Sequence, residues 1–267
     1  PMTVGQEFHS YASMLEWDIA NLEHANKSLL LLNLGGTAIG TGLNTPEGYD
    51  GYVIKHLNEI TGYKFANSDD MIAATSSMQS FVVYSSALKT LATTLSKISN
   101  DLILLSSGPR NGIFEINLPA RQPGSSIMPG KVNPVIPEAV TQVATQVIGN
   151  DVAITIGCQS SSFELNTMLP VIAHNLLQSI TLLTSATRVF AEKCVRGITA
   201  DEERCKAFVE QSLAMCTTLA PVIGYDEAAA IANEAYATGK TVREVAVAKN
   251  ILPAAQLEAL LDPLKMT

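Results

Sequence analysis

The segment Gly124-Ser125-Ser126-Ile127-Met128-Pro129-Gly130-Lys131-Val132-Asn133-Pro134 is the most informative part of this chain. It gathers two hydroxyls, a lysine and an amide into a loop between two segments of helical periodicity. The two glycines can adopt positive φ and let the backbone approach a ligand closely, whereas the two prolines stiffen the turn. Gly-Ser-Ser alone is also typical of an ordinary turn. The whole segment, however, can offer N–H groups, a cation and a basic oxygen to one small anion, which favours chemistry on a carboxylate.

Outward from this loop, most of the chain has the apolar spacing of amphipathic helices. Strand signals are nearly absent, since only Ile113–Leu118 alternates. Pro170 is expected to kink or break the last long helix near Thr167. After Gly197 the periodic segments become short. The long helices are predicted over residues 4–33, 68–106, 134–156 and 163–195, with a short helix over 52–61.

This pattern predicts an all-α protein with two domains. Residues 1–196 are expected to form a long-helix bundle, and residues 197–267 a small C-terminal helical domain. Helices of such length usually bury their apolar stripes against one another, and here we expect packing across subunits as well.

The charge of the chain excludes several kinds of partner. The formal net charge is −8, so nucleic acid and anionic membrane surfaces are poor partners. No run of about 18 apolar residues occurs, and a transmembrane helix is therefore not expected. Because the overall field repels anions, an anionic substrate must be attracted by a local positive site.

The four cysteines and four histidines do not predict a metal site. None of the cysteines forms a CxxC pair, and no histidine lies at zinc-ligand spacing from them. Free thiols of this kind are typical of a reducing compartment, so we expect a cytoplasmic protein. The cysteines are Cys158, Cys194, Cys205 and Cys216.

The full loop resembles, residue for residue, the signature Gly-Ser-Ser-x-Met-Pro-x-Lys-x-Asn-Pro of the fumarase/aspartase superfamily. Five further segments resemble the same family in the same order along the chain. The resemblance implies that the long helices form the core of a homotetramer and that no cofactor is needed. These segments are Gly40–Asn44, Asn100–Leu102, Ser107–Arg110, Gly149–Asp151 and Phe163–Asn166.

The residues that follow the loop indicate which of the family's reactions the resemblance implies. Val135-Ile136-Pro137-Glu138 resembles the members that convert L-aspartate to fumarate and ammonia, whereas the members that hydrate fumarate to malate usually differ there. The reaction is an anti β-elimination, in which a proton leaves C3 and an aci-carboxylate forms. The hydratase activity stays open as an alternative, as does a non-catalytic structural member of the family.

The resemblance also implies a role for each loop residue. Ser125 would be the base, which requires that its oxyanion is stabilised by nearby N–H groups and positive charge. Lys131 and Asn133 would bind the carboxylates of the substrate. Glu138 would orient a histidine from a different subunit. The amides around Gly124, Ser126 and Ile127 would complete the anion site.

The same resemblance implies that this chain is the carboxy-terminal part of such an enzyme. In the family, an active site is built from three subunits, and the Thr-His element that helps catalysis precedes the segment resembling residues 1–7. We therefore expect residues 1–267 alone to be inactive, although they could still assemble as an oligomerisation scaffold.

Overall fold

The computed structural model describes the whole chain, Pro1–Thr267, and its regular secondary structure is almost entirely helical. The first half contains α1 (Val4–Asn26), α2 (Tyr49–Thr61), α3 (Met71–Ser76) and α4 (Gln79–Leu105). The second half contains α5 (Val135–Gln159), α6 (Leu169–Lys193), α7 (Glu202–Gln211), α8 (Ala220–Ile223), α9 (Tyr225–Thr238), α10 (Val242–Ala248) and α11 (Ala254–Leu260). Short 3-10 helices cover Lys27–Leu30, Val195–Gly197, Leu213–Thr218 and Pro263–Met266.

Sheet is limited to two short ladders. β1 (Leu31–Leu32) pairs in parallel with β2 (Ala66–Asn67), and β3 (Ile116–Asn117) pairs antiparallel with β4 (Thr199–Ala200). β3 lies within the one segment that alternates like a strand. The predicted all-α class with a long-helix bundle is confirmed, and no helix is long and apolar enough to cross a bilayer.

Three predicted helix boundaries are wrong, each for a local reason. The first helix ends at Asn26 rather than Asn33, because the chain tightens into a 3-10 turn and then becomes extended at Leu31. The second long helix is broken before Gln79: Ser77 is extended and its hydroxyl accepts the Gln79 N–H at 3.4 Å. The fourth begins at Leu169 rather than Phe163, so the expected break near Thr167 is confirmed, and Pro170 lies in the first turn, where its missing donor costs nothing.

The chain divides into two compact units. One comprises residues 1–11, 104–118 and 198–267, and the other comprises residues 12–103 and 119–197. We call these the C-terminal unit and the bundle unit. The predicted division between residues 196 and 197 stays a prediction.

The bundle unit is organised around α4, α5 and α6. Its largest fully buried side chains include Leu95, Ile154 and Ile172, and the most extensive packing of the chain is between α5 and α6. The loop of interest, residues 119–134, leads directly into α5.

The C-terminal unit has its own apolar core, assembled from α9, α10, α11 and the Leu213–Thr218 turn. Arg243 links the surrounding helices, since its guanidinium donates to Glu210 and Glu258 and to the carbonyl of Leu261. The core residues are Met215, Leu219, Ala228, Ile231, Ala235, Val242, Val245, Ala246, Leu257 and Leu261.

Candidate active site

The signature loop is closed by hydrogen bonds between its two ends. The Gly124 N–H donates to the Lys131 carbonyl at 2.7 Å, and Asn133 Nδ2 donates to the Gly124 carbonyl at 3.0 Å. A Cβ at position 124 would lie 2.7 Å from the Lys131 oxygen. Glycine is therefore required at position 124 so that the two strands of the loop can approach each other.

Ser125 lies at the start of a turn that points two backbone donors at its hydroxyl. Its Oγ accepts the Ile127 N–H at 3.1 Å and the Met128 N–H at 3.2 Å. Two N–H donors on one oxygen favour the charged form of that oxygen. The hydroxyl is half-buried. The geometry is thus suited to stabilising a serine alkoxide, which a serine base requires.

The backbone N–H groups that donate to Ser125 Oγ differ in part from those expected from the sequence. The Gly124 amide is committed to the Lys131 carbonyl, and the Met128 amide, which was not expected, takes a place beside Ile127. A hydroxyl that accepts from residues two and three positions further on is a common local motif of serine. The spacing Ser125-x-Ile127-Met128 was therefore the signal that could have identified Met128.

The middle of the loop is exposed. The Ile127 side chain is 91% exposed and Met128 is 54% exposed, and Lys131 is also exposed and forms no ion pair within the chain. Gly130 has φ +79°, and a Cβ there would meet no atom within 4 Å. Ser126 is exposed as well, so its amide and the Lys131 ammonium group are open to a ligand.

Asn133 and Glu138 connect the loop to α5. One amide hydrogen of Asn133 is used on Gly124, which leaves the second for a ligand. Glu138 is half-buried in the first turn of α5, where the helix dipole favours a carboxylate. Its backbone N–H donates to the Pro134 carbonyl, and its carboxylate makes no hydrogen bond within the chain.

A cavity of about 450 Å³ lies elsewhere in the bundle unit, between the start of α4 and the end of α5. Hydroxyl and carboxamide groups, including those of Ser76 and Gln79, line it together with apolar side chains such as Met78 and Phe163. No charged side chain contributes to its wall, so it does not suit a dicarboxylate. No three His, Cys, Asp or Glu side chains are grouped as a metal ion would require.

Two family models match the chain. The model described as Lyase matches residues 1–149, and the model described as Fumarase C C-terminus matches residues 215–267. The first covers more than half of the chain and includes the whole signature loop.

Curated relatives are about half identical to the chain over the aligned residues. An aspartate ammonia-lyase of Pseudomonas canavaninivorans is 51% identical over the whole chain, which covers 56% of that protein. An aspartate ammonia-lyase of a Bacillus species is 46% identical over the whole chain, which covers 57% of it. The chain thus spans little more than half the length of the curated relatives it matches.

Solved structures agree in fold. A fumarate lyase:delta crystallin from Brucella melitensis, bound to cobalt, superposes with a TM-score of 0.95 at 49% identity, and the chain covers 58% of it. A class II fumarase from Schistosoma mansoni superposes with a TM-score of 0.95 at 37% identity, and the chain covers 59% of it. In both cases the whole of the present chain is included.

Proposed function

This chain belongs to the fumarase/aspartase superfamily of lyases, and on that premise we propose that the whole protein is an aspartate ammonia-lyase. It would convert L-aspartate to fumarate and ammonia. The observation that carries the proposal is the closed signature loop, in which two backbone N–H groups point at the hydroxyl of Ser125. The identity to curated aspartate ammonia-lyases supports the choice of substrate.

In the proposed mechanism, Ser125 removes the proton from C3 of the substrate. The Ile127 and Met128 amides stabilise its alkoxide before the transfer. Lys131 and the second Asn133 amide hydrogen bind the carboxylate on which the extra negative charge develops, so that the aci-carboxylate forms in a site arranged for it. Ammonia then leaves C2 and the C2–C3 double bond of fumarate forms.

Three groups have supporting roles in the same proposal. The Gly124 backbone closes the loop and the Ser126 amide is left for the bound anion, whereas the Ile127 amide expected there donates to Ser125 Oγ instead. Glu138 orients a histidine contributed by another subunit, which is consistent with a half-buried carboxylate that has no hydrogen-bond partner within the chain.

We further propose that the protein is a homotetramer. Helix α5 supports this, because it exposes three large apolar side chains spaced by four residues on one face: Ile148, Val152 and Ile156, at 40%, 54% and 49%. A contiguous apolar stripe on a helix usually marks an interface. We also place the protein in the cytoplasm, where its four free thiols would stay reduced.

A hydratase acting on malate and fumarate is the second candidate, because the S. mansoni fumarase superposes as well as the other neighbour does. A non-catalytic structural role is the third. The experiment that separates them follows fumarate by its ultraviolet absorbance, with the whole protein and either L-aspartate or L-malate. We expect turnover of aspartate only. Turnover of malate alone would replace the proposal with the hydratase, and turnover of neither would favour the structural role.

A further inference from the structure

The entry to the signature loop is tied to the end of a distant helix. Arg121 lies four residues before Ser125, and its Nε donates to the carbonyl of Lys193 at 2.6 Å. Lys193 is the last residue of α6, where carbonyl groups lack partners inside the helix. A cation at this position is also favoured by the helix dipole. The Arg121 side chain therefore caps α6 and holds in place the segment that leads to Ser125.

A second contact reinforces the same attachment. Gly197 follows α6, and a Cβ at this position would lie 2.5 Å from Cγ of Pro119. Only a residue without a side chain allows the proline ring to come so close. Residues 119–121 are thus held against the C-terminal end of α6 at two points.

The other end of the loop is continuous with α5. Helices α5 and α6 are packed against each other along the bundle unit. The loop is therefore attached at one end to the C-terminal end of α6 and at the other to the N-terminal end of α5. Its own closing bonds, from Gly124 and Asn133, fix its shape. The contacts of Arg121 and Pro119 instead fix its position relative to the helices.

We propose that Arg121 is a positioning residue, which fastens the signature loop to the end of α6 and so holds the Ser125 turn in its reactive place. The catalytic part of this proposal rests on the proposed function, whereas the attachment of the loop to α6 does not. Displacing a reacting group by about 1 Å can lower the rate about a hundredfold. Ser125 lies on the Arg121 side of the loop, whereas the substrate-binding Lys131 and Asn133 lie on the side that is continuous with α5, so the loss is expected mainly in kcat rather than in KM.

The test uses the whole protein and three substitutions that separate the hydrogen bond from the charge. Arg121→Leu removes both, Arg121→Gln keeps a donor without the charge, and Arg121→Lys keeps a donor and the charge. Arg188→Leu is the control, because Arg188 is an exposed arginine of α6 without a hydrogen-bond partner. Gly197→Ala disturbs the same attachment without touching the arginine.

Two readouts are needed. Amide hydrogen exchange of the peptide covering residues 122–134 reports the order of the loop, and steady-state kinetics reports kcat and KM. For Arg121→Leu we expect exchange at least tenfold faster and kcat at least tenfold lower, with KM within threefold. Gly197→Ala should move both readouts in the same direction, and Arg188→Leu should move neither.

Each remaining outcome decides the proposal. Exchange in Arg121→Leu within twofold of the parent protein overturns the fastening, and faster exchange with an unchanged kcat overturns the positioning role. Restoration of the loop by Arg121→Gln shows that a hydrogen-bond donor is sufficient, and restoration by Arg121→Lys alone shows that the charge beside the C-terminus of α6 is needed as well; both results support the fastening. Should Arg121→Leu not fold, the Gln and Gly197→Ala variants decide. A protein without lyase activity would sink the proposed function, while the exchange measurement would still judge the fastening.

Discussion

At the scale of single residues, the hydroxyl of Ser125 is the most consequential atom of the proposed mechanism. Replacing Ser125 with alanine in the whole protein removes the base and leaves the Ile127 and Met128 amides without their acceptor. We expect kcat on aspartate to fall by at least about a hundredfold, equivalent to about 2.7 kcal/mol of barrier. Steady-state kinetics checks this, with Ser185→Ala, an exposed serine of α6, as the control. A decrease of less than tenfold would remove Ser125 from the role of base.

Position 124 requires a residue without a side chain. Alanine at this position would bring a Cβ to 2.7 Å from the Lys131 carbonyl, so the bond that closes the loop must lengthen or break. We expect at least a tenfold decrease in kcat/KM for Gly124→Ala. Gly51→Ala is the control, because Gly51 is an exposed helical glycine with no atom within 4 Å of the added methyl, and such a change usually stabilises by about 0.4–1 kcal/mol. Equal activities of the two variants would contradict the prediction.

The thiol of Cys194 is expected to lower the stability of the protein as the pH rises above 9. Burial raises the pKa of its thiol from near 9 to about 11, although the nearby Arg121 acts in the opposite direction. The unfolded chain thus loses this proton near pH 9 and the folded chain only near pH 11. Stability is fully present below pH 9 and falls between pH 9 and 11, because there the folded state binds more protons.

The corresponding measurement is denaturant unfolding at pH 8.5 and 10.5. The contribution of Cys194 to the decrease is on the order of 2 kcal/mol. We therefore expect Cys194→Ala to lose less stability over this interval than the parent protein, with Cys216→Ala as the control for removal of a cysteine. A pH dependence that is the same in Cys194→Ala and in the parent would show that the thiol is not responsible.

At the scale of the helices, two adjacent polar residues fix α5 to both of its neighbours. Asn150 Nδ2 contacts Gln178 and Ser179 of α6 at 2.9 and 3.0 Å. The Asp151 carboxylate, which is 5% exposed, accepts from Ser85 Oγ at 2.7 Å and Lys89 Nζ at 2.6 Å, both on α4. The Gly149-Asn150-Asp151 motif of the sequence therefore has a structural explanation in the register of three helices.

Removing Lys89 should be costly because it leaves Asp151 charged and buried. We expect Lys89→Met to lower the free energy of unfolding by about 1–3 kcal/mol, less than for a fully buried pair because the lysine is 40% exposed. Lys206→Met is the control: its pairs with Glu202 and Glu203 lie at the surface and should contribute less than about 0.5 kcal/mol. Denaturant unfolding measures both, and similar effects of the two variants would contradict the prediction.

Helix positions were largely predictable from apolar spacing, whereas helix ends were not. Apolar spacing reports which face of a helix is buried, and it continues through residues 77 and 78 although the non-helical Ser77 and Met78 separate α3 from α4 there. After α1 and the 3-10 turn that follows it, the chain becomes extended and Leu31 pairs with Ala66, 35 positions further along the chain. A reading of local periodicity cannot detect such a partner. By contrast the cap of α3 is local, because the Asp70 carboxylate accepts the N–H groups of Ile72 and Ala73.

At the scale of the whole molecule, the sequence predicted only those parts of the site that are formed by residues close together in the chain. The turn around Ser125 is built within five residues, so its motif could be recognised. The attachment of Arg121 to Lys193 joins residues 72 positions apart, and nothing in the sequence near Arg121 indicates it. Roles that depend on other subunits, such as that proposed for Glu138, are not local in any single chain and stay predictions.

The stripe on α5 allows the proposed tetramer to be tested at a single position. Val152 is 54% exposed at the centre of the stripe, and a glutamate there would place a charge in the proposed interface, where it would be desolvated without a partner. We expect Val152→Glu to dissociate the whole protein into smaller species by light scattering and to lower its activity in parallel. Val247→Glu is the matched control, since Val247 is 55% exposed on α10. If Val152→Glu stays tetrameric, or if Val247→Glu dissociates instead, the interface does not involve this face of α5.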